Sequence, residues 1–130
     1  MQIRQLFWLV LFYLFTTTAG YAATAVPLFN QALPPLPENQ EVLMLTVEYA
    51  PGESSTAHRH NAYTYVYVLQ GSIGMQVEGG VEQQLSAGQT FYEIPSDVHV
   101  VSKNMSTTET AKFLVLFIKT VGAPTSAPVQ

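Results

Sequence analysis

Short apolar segments separated by turn residues fill the middle of the chain. In Ser72–Glu78, isoleucine, methionine and valine alternate with glycine, glutamine and glutamate, as in a strand with one face in water. The last segment, Phe113–Ile118, is apolar at every position and therefore on both faces, which predicts a strand in the centre of a sheet. No segment sustains a helical period, and the even spacing indicates an all-β sandwich or barrel. The predicted strands are Val42–Tyr49, Tyr63–Leu69, Ser72–Glu78, Val81–Leu85, Thr90–Ile94, Val98–Lys103 and Lys112–Val121.

The first 22 residues differ from the rest of the sequence. Arg4 precedes the apolar run Leu6–Phe15, and small or polar residues then lead to Ala22. This order predicts a secretory signal peptide over residues 1–22, because the run is shorter than the about 20 residues of a membrane span. Cleavage after Ala25 is the second option, and an uncleaved membrane anchor is the alternative. We expect a periplasmic or secreted protein that contacts a membrane only through this segment, if it is uncleaved.

Proline content divides the remaining chain. Residues 23–40 contain four prolines, which block both helices and strand ladders. We expect an extended arm there, laid along a sheet edge or a neighbouring subunit. Residues 41–121 form the predicted barrel, and residues 122–130, rich in Gly, Pro, Ala, Ser and Thr, are expected to be a disordered tail.

Composition removes several classes of function. A length of 130 residues suits one domain. The chain has no cysteine, which excludes disulfides, thiolate metal sites and thiol nucleophiles. It has five Lys plus Arg against nine Asp plus Glu, a net charge of −4. Nucleic acid is therefore not an expected partner.

The three histidines of the chain are the main candidates for chemistry. His58 and His60 flank Arg59, so in a strand both imidazoles point to one side and the arginine to the other. Such rings lie about 6–7 Å apart along the strand and can converge on one ion. His99 lies in a later strand and is expected to reach the same point from across the barrel. A solvated or hydrogen-bonded histidine pair remains the simpler interpretation of the H-x-H pattern alone.

Two longer segments resemble the paired motifs of the cupin superfamily, in particular its small single-domain members. The first motif is a glycine, five residues, H-x-H, a glutamate and a final glycine. Its matching positions are Gly52, His58, His60 and Gly71. The second motif resembles Gly88–His99, followed by Asn104. The resemblance implies a double-stranded β-helix, also called a jelly-roll barrel, and a divalent metal (Fe, Mn, Ni, Cu or Zn) on His58, His60 and His99.

The sequence departs from this pattern at two places. Thr64 stands where the family has a glutamate that usually completes the metal site, and a neutral hydroxyl is a poor replacement. Asp97 replaces a glycine of the second motif, and His99 comes one residue early. Thr64, Tyr92 and Glu93 are therefore treated as candidates for the pocket or for the surroundings of the metal. We expect Tyr63, Tyr65 and Tyr67 to share one face and to pack on an outer sheet or at a dimer contact.

Three neutral imidazoles would leave the charge of a divalent ion uncompensated, which favours an anionic, chelating small molecule as ligand. The first functional hypothesis is a metal-dependent oxygenase or isomerase acting on a small organic molecule. The alternatives are a non-catalytic barrel that binds a small molecule or sugar, with or without metal, and a structural metal site. The resemblance also implies a homodimer.

Overall fold

The fold is given by a computed structural model that describes residues 23–129. The predicted signal peptide, residues 1–22, and Gln130 lie outside the described residues. Regular structure within residues 23–129 consists of ten strands, with no helix long and apolar enough to cross a membrane. The predicted all-β class is confirmed. The strands are β1 (Gln40–Tyr49), β2 (Ser54–Ser55), β3 (His58–Arg59), β4 (Tyr63–Gln70), β5 (Ser72–Val77), β6 (Gln83–Ser86), β7 (Thr90–Glu93), β8 (His99–Asn104), β9 (Ala111–Thr120) and β10 (Ala127–Pro128).

The strands form two antiparallel sheets. One has the order β1-β9-β4-β7. The other has the order β10-β3-β8-β5-β6, with β2 paired to β8. β9 lies between β1 and β4, as its apolar sequence predicts. The chain passes from one sheet to the other several times, and residues of both sheets form one core cluster. The two sheets therefore enclose one interior.

The interior is filled by every second residue of the long strands. In β9, the residues from Ala111 to Lys119 alternate between buried and half-buried positions. In β4, Thr64, Val66 and Val68 are buried while the tyrosines between them are only half-buried. Since neighbouring side chains of a strand point to opposite faces, the threonine and the valines face the core and the tyrosines face outward.

A glycine is required where β4 turns into β5. Gly71 has a φ of 74°, a conformation that L-residues with a Cβ adopt at a cost. An added Cβ would also lie 2.9 Å from the carbonyl oxygen of Thr110. The final glycine of the first motif is thus explained by backbone geometry.

The N-terminal arm covers part of the outer tyrosine face. Phe29 contacts Tyr65 with ring centroids 5.5 Å apart and Tyr92 at 5.4 Å. Tyr65 and Tyr92 pair across β4 and β7. No helix or strand is present between residues 23 and 39, and the arm crosses the face of the four-stranded sheet within its own chain.

The C-terminal segment differs from its predicted disorder. β10 pairs with β3, with Ala127 opposite Arg59 and Pro128 opposite His58. Two paired residues leave no hydrophobic alternation, so the sequence carries no signal for this strand. The same holds for β2 and β3, and these three short strands are the ones missing from the sequence-based prediction.

Candidate metal centre

Strand pairing brings the three histidines together. β3 lies beside β8 with His58 directly opposite His99. The ring centroids are 4.7 Å apart for His58–His60, 5.1 Å for His58–His99 and 5.9 Å for His60–His99. Arg59 points away and donates to the carbonyl of Ser96 at 2.6 Å. The expectation that His99 reaches the site from across the barrel is wrong, because it lies on the neighbouring strand of the same sheet.

Backbone carbonyls fix the orientation of two rings. His58 Nδ1 donates to the carbonyl of Thr56 at 2.7 Å, and His60 Nδ1 donates to the carbonyl of Thr125 at 2.6 Å. A carbonyl oxygen can only accept, so Nδ1 carries the hydrogen in both rings. In the neutral form of each ring, Nε2 therefore holds a free lone pair. Such hydrogen bonds typically orient metal-binding histidines.

The two free nitrogens face each other. His58 Nε2 and His60 Nε2 are 3.3 Å apart, and with both hydrogens on Nδ1 neither can donate to the other. A tetrahedral ion with metal–nitrogen distances of about 2.0–2.1 Å separates its ligand nitrogens by about 3.3 Å. One nitrogen from each of His58, His60 and His99 lies within 4.8 Å of the others. The residues present therefore fit a bound transition-metal ion.

His99 is the most deeply buried of the three rings. Its exposure is 4%, and neither ring nitrogen has a hydrogen-bond partner within residues 23–129. Burial, and to a smaller extent the proximity of His58 and His60, lowers the pKa of His99 to about 4. Burial also lowers the pKa of His60. Both rings are neutral near pH 7, which is the form that binds metal.

Glu93 approaches His60 and His99 from the opposite sheet. It is 2% exposed, with Oε1 3.4 Å from His99 Nδ1 and Oε2 3.5 Å from His60 Nε2. Burial, and to a smaller extent the charge of Asp97, raises the pKa of Glu93 to about 8. A carboxyl group in this position is thus protonated near neutral pH unless a cation compensates its charge.

A cavity of about 720 Å³ opens beside these residues. Its polar lining includes the three histidines, Glu93 and several hydroxyl groups, and its remaining wall is apolar. The volume lies within the range typical of small-molecule sites. Apolar lining residues include Leu45, Val47, Val66, Met75, Phe113 and Val115.

A second polar group lines the same cavity. Tyr49 Oη lies 2.8 Å from Ser102 Oγ and also forms a hydrogen bond with Ser55 Oγ. These residues come from β1, β2 and β8. The sequence does not predict this cluster, because a single tyrosine and scattered serines give no spacing signal.

The family comparison agrees with this geometry. The family described as "Cupin domain" matches residues 45–117, which include all three histidines and Glu93. The chain is a cupin.

Several solved structures share the fold of this chain at low sequence identity. A Klebsiella pneumoniae protein with a double-stranded β-helix domain matches this cupin with a TM-score of 0.58 and 20% identity, covering 73% of this chain and 79% of that one. The DMSP lyase DddQ from Ruegeria pomeroyi matches with a TM-score of 0.57 and 18% identity, covering 64% of this chain and 41% of that one. A predicted oxalate decarboxylase from Thermotoga maritima matches with a TM-score of 0.53 and 22% identity, covering 59% and 65%.

These likenesses confirm the predicted double-stranded β-helix. The cupin spans less than half the length of the lyase. No curated protein shows significant similarity to the sequence.

The three pocket candidates of the sequence analysis have different positions in the cupin. Glu93 lies at the histidines. Thr64 is fully buried, lines the cavity and donates from Oγ1 to the carbonyl of Ala62 at 3.4 Å. Tyr92 must be corrected, because it precedes Glu93 in β7 and therefore points to the outer face, where it contacts Tyr65 and Phe29.

Proposed function

We propose that this cupin binds one divalent transition-metal ion through His58 Nε2, His60 Nε2 and a ring nitrogen of His99. The observation that carries the proposal is the 3.3 Å separation of two Nε2 atoms whose hydrogens are held on Nδ1 by carbonyl groups. Without a cation, two lone pairs face each other in a partly buried site. Imidazole ligands suit Fe, Ni, Cu and Zn, and Mn remains a candidate through the family resemblance.

We further propose that the cupin is a metal-dependent oxygenase or isomerase that acts on a small organic molecule in the cavity. When bound, the ion would supply Lewis-acid or oxygen chemistry at its open positions. The apolar wall around Val66, Met75 and Phe113 would exclude water from the reacting part of the substrate. The Tyr49, Ser55 and Ser102 hydroxyls would bind its polar end. An anionic, chelating substrate best matches an ion whose histidine ligands are neutral.

A non-catalytic binding barrel for a small molecule or sugar is the second candidate. The observation in its favour is that Glu93 is the only acidic side chain among the residues that line the cavity in the described part of the chain. If the Glu93 carboxylate interacts with the bound ion, the cavity lining offers no second carboxylate for proton transfer. A binder holds its ligand without consuming it, whereas the proposed oxygenase consumes O₂ with substrate.

Two measurements test these proposals in sequence. Cobalt(II) added to the metal-free protein should give visible d–d bands at about one equivalent, and His58→Ala and His60→Ala should abolish them. Glu78→Gln is the matched control, because the Glu78 side chain is exposed and makes no hydrogen bond or ion pair within residues 23–129. Wild-type protein without cobalt bands would contradict the metal site.

Oxygen uptake and product formation with iron-loaded protein and a panel of 1,3-dicarbonyl and catechol compounds then separate an enzyme from a binder.

Export to the periplasm or the medium is also a proposal, supported by the charge and hydropathy pattern of residues 1–22. Mass spectrometry of the protein recovered from cell fractions tests it. We expect a mature N-terminus at Ala23, and a full-length chain in the cytoplasm would contradict it.

A further inference from the structure

Glu93 is a buried carboxylate without a suitable partner. Its Oε2 has no hydrogen-bond partner within residues 23–129. The ion pairs of the described chain bring it no lysine or arginine, only His60 and His99. A buried carboxylate is normally paired, hydrogen-bonded or bound to a metal, because removing it from water is costly.

The contacts of Glu93 with the histidines are not ordinary hydrogen bonds. The neutral His60 ring gives its hydrogen to Thr125, so its Nε2 cannot donate to Glu93 Oε2, and the 3.5 Å separation is long for a hydrogen bond in the other direction. The 3.4 Å separation between Glu93 Oε1 and His99 Nδ1 is also long for an N–H···O bond. Each carboxylate oxygen thus lies near a different imidazole, at about the 3.4 Å that separates ligand oxygen and nitrogen atoms of a tetrahedral site.

Strand register explains how Glu93 reaches this position. β4 and β7 pair with Thr64 directly opposite Glu93, and both side chains face the interior. Side chains opposite each other in an antiparallel pair have Cβ atoms about 4.5–5.5 Å apart. A carboxylate attached at either position can therefore reach the same region of the cavity. The short Thr64 side chain leaves that region to Glu93.

We propose that Glu93 is the fourth protein ligand of the metal, supplied by β7 from the position across the ladder from Thr64. The inference rests on the proposed metal site at His58, His60 and His99 and adds a ligand that the histidine cluster alone does not include. A carboxylate ligand would reduce the net charge of a divalent site from +2 to +1. It would also remove Glu93 from the groups available as a general base.

Metal affinity and the cobalt spectrum of Glu93→Gln test the proposal without any activity assay. Glutamine keeps the shape of the side chain and loses its charge, and Glu78→Gln removes the same charge from an exposed site. Substitutions next to metal ligands typically weaken binding about 10–100-fold. Loss of a direct ligand should therefore weaken zinc binding by about 100-fold or more, measured by competition with a chelator, and shift the cobalt bands. Glu78→Gln should change neither.

The exchange variant Thr64→Glu/Glu93→Thr separates ligation from a general structural role. It moves the carboxylate to the opposite strand, and we expect it to recover zinc affinity to within about tenfold of the wild type. A merely structural Glu93 would not be replaced from β4. Failure of the exchange variant to bind better than Glu93→Thr alone would overturn the proposal.

The outcomes also distinguish this inference from the proposed function. If Glu93→Gln keeps the wild-type affinity and cobalt spectrum while His58→Ala loses both, Glu93 is not a ligand and the three-histidine site stands. If the wild type binds no metal, both proposals fail. Should Glu93→Gln not fold, infrared difference spectra of the wild type still decide, since zinc must shift a carboxyl band. An unchanged carboxyl region would contradict ligation.

Discussion

His60 and Thr125 are joined by a 2.6 Å hydrogen bond from the ring Nδ1 to the backbone carbonyl. The contact links a candidate metal ligand to a segment 65 residues later, next to the end of the chain. Pairing of β10 with β3 holds that segment in place. The C-terminal segment therefore orients one of the three imidazoles.

Removal of the C-terminal segment should weaken metal binding without unfolding the barrel. In a chain ending at Ala123, His60 loses the acceptor that fixes its ring, and loss of such a partner typically costs about 10–100-fold in metal affinity. The measurement is a zinc competition titration, with a chain ending at Pro128 as control because it retains Thr125. Equal affinity of both shortened chains would contradict the orienting role.

Phe113 should be a major contributor to stability. It is buried in β9 and packs edge-on against Tyr49 with ring centroids 5.5 Å apart. Phe113→Ala should lower the free energy of unfolding by about 3–5 kcal/mol, because it leaves a cavity in the core. Val42 on the neighbouring strand is 65% exposed, so Val42→Ala should change it by less than about 0.5 kcal/mol. Urea denaturation measures both, and equal effects would refute the assigned faces.

The arm should contribute modestly to stability through Phe29, its one aromatic residue. Phe29→Ala removes the packing on Tyr65 and Tyr92, and such aromatic pairs are worth about 0.5–1.5 kcal/mol beyond their buried area. Differential scanning calorimetry should show a small decrease in Tm, with metal affinity unchanged because Tyr92 faces away from the histidines. The alternative result, unchanged Tm, would mean that the arm does not pack on this sheet in solution.

The metal-free protein should lose stability between about pH 6.5 and pH 8. The folded-state pKa of Glu93, about 8, lies above its ordinary value of 4.5, so its favourable contribution is complete below pH 4.5 and is lost as the pH rises through 8. The folded-state pKa of His99, about 4, lies below 6.5, so its contribution is lost as the pH falls from 6.5 towards 4. Above pH 6.5 the Glu93 effect remains alone.

Urea denaturation of chelator-treated protein at several pH values measures this loss. One titrating group changes the free energy of unfolding by at most about 1.4 kcal/mol per pH unit. Glu93→Gln should abolish the decrease, whereas Glu78→Gln should retain it. A decrease of the same size in Glu93→Gln would assign it to another group.

Sequence periodicity predicted the long strands well and the site only in part. The apolar run of β9 indicated a central strand, and the alternation in β4 placed Tyr63, Tyr65 and Tyr67 outside the core; the structure shows both. These features depend on side-chain direction within one strand. The H-x-H spacing likewise indicated that His58 and His60 converge.

The register between strands that are distant in the sequence could not be predicted from the local pattern of apolar and polar residues. The pairing of His58 with His99 and of Thr64 with Glu93 joins segments about 30–40 residues apart in the sequence, and no alternation encodes it. From the sequence, Glu93 is therefore one pocket candidate among several. The position of Thr125 depends on a two-residue pairing in a segment whose composition is typical of a disordered tail.

Metal content is the most direct test of the central claim. Elemental mass spectrometry should be applied to mature protein purified without an affinity tag, beside His58→Ala, His99→Ala and the Glu78→Gln control. We expect about one transition-metal ion per chain in the wild type and the control, and loss of the ion in both histidine variants. Wild-type protein without metal after reconstitution, or histidine variants that retain a full complement, would contradict the account.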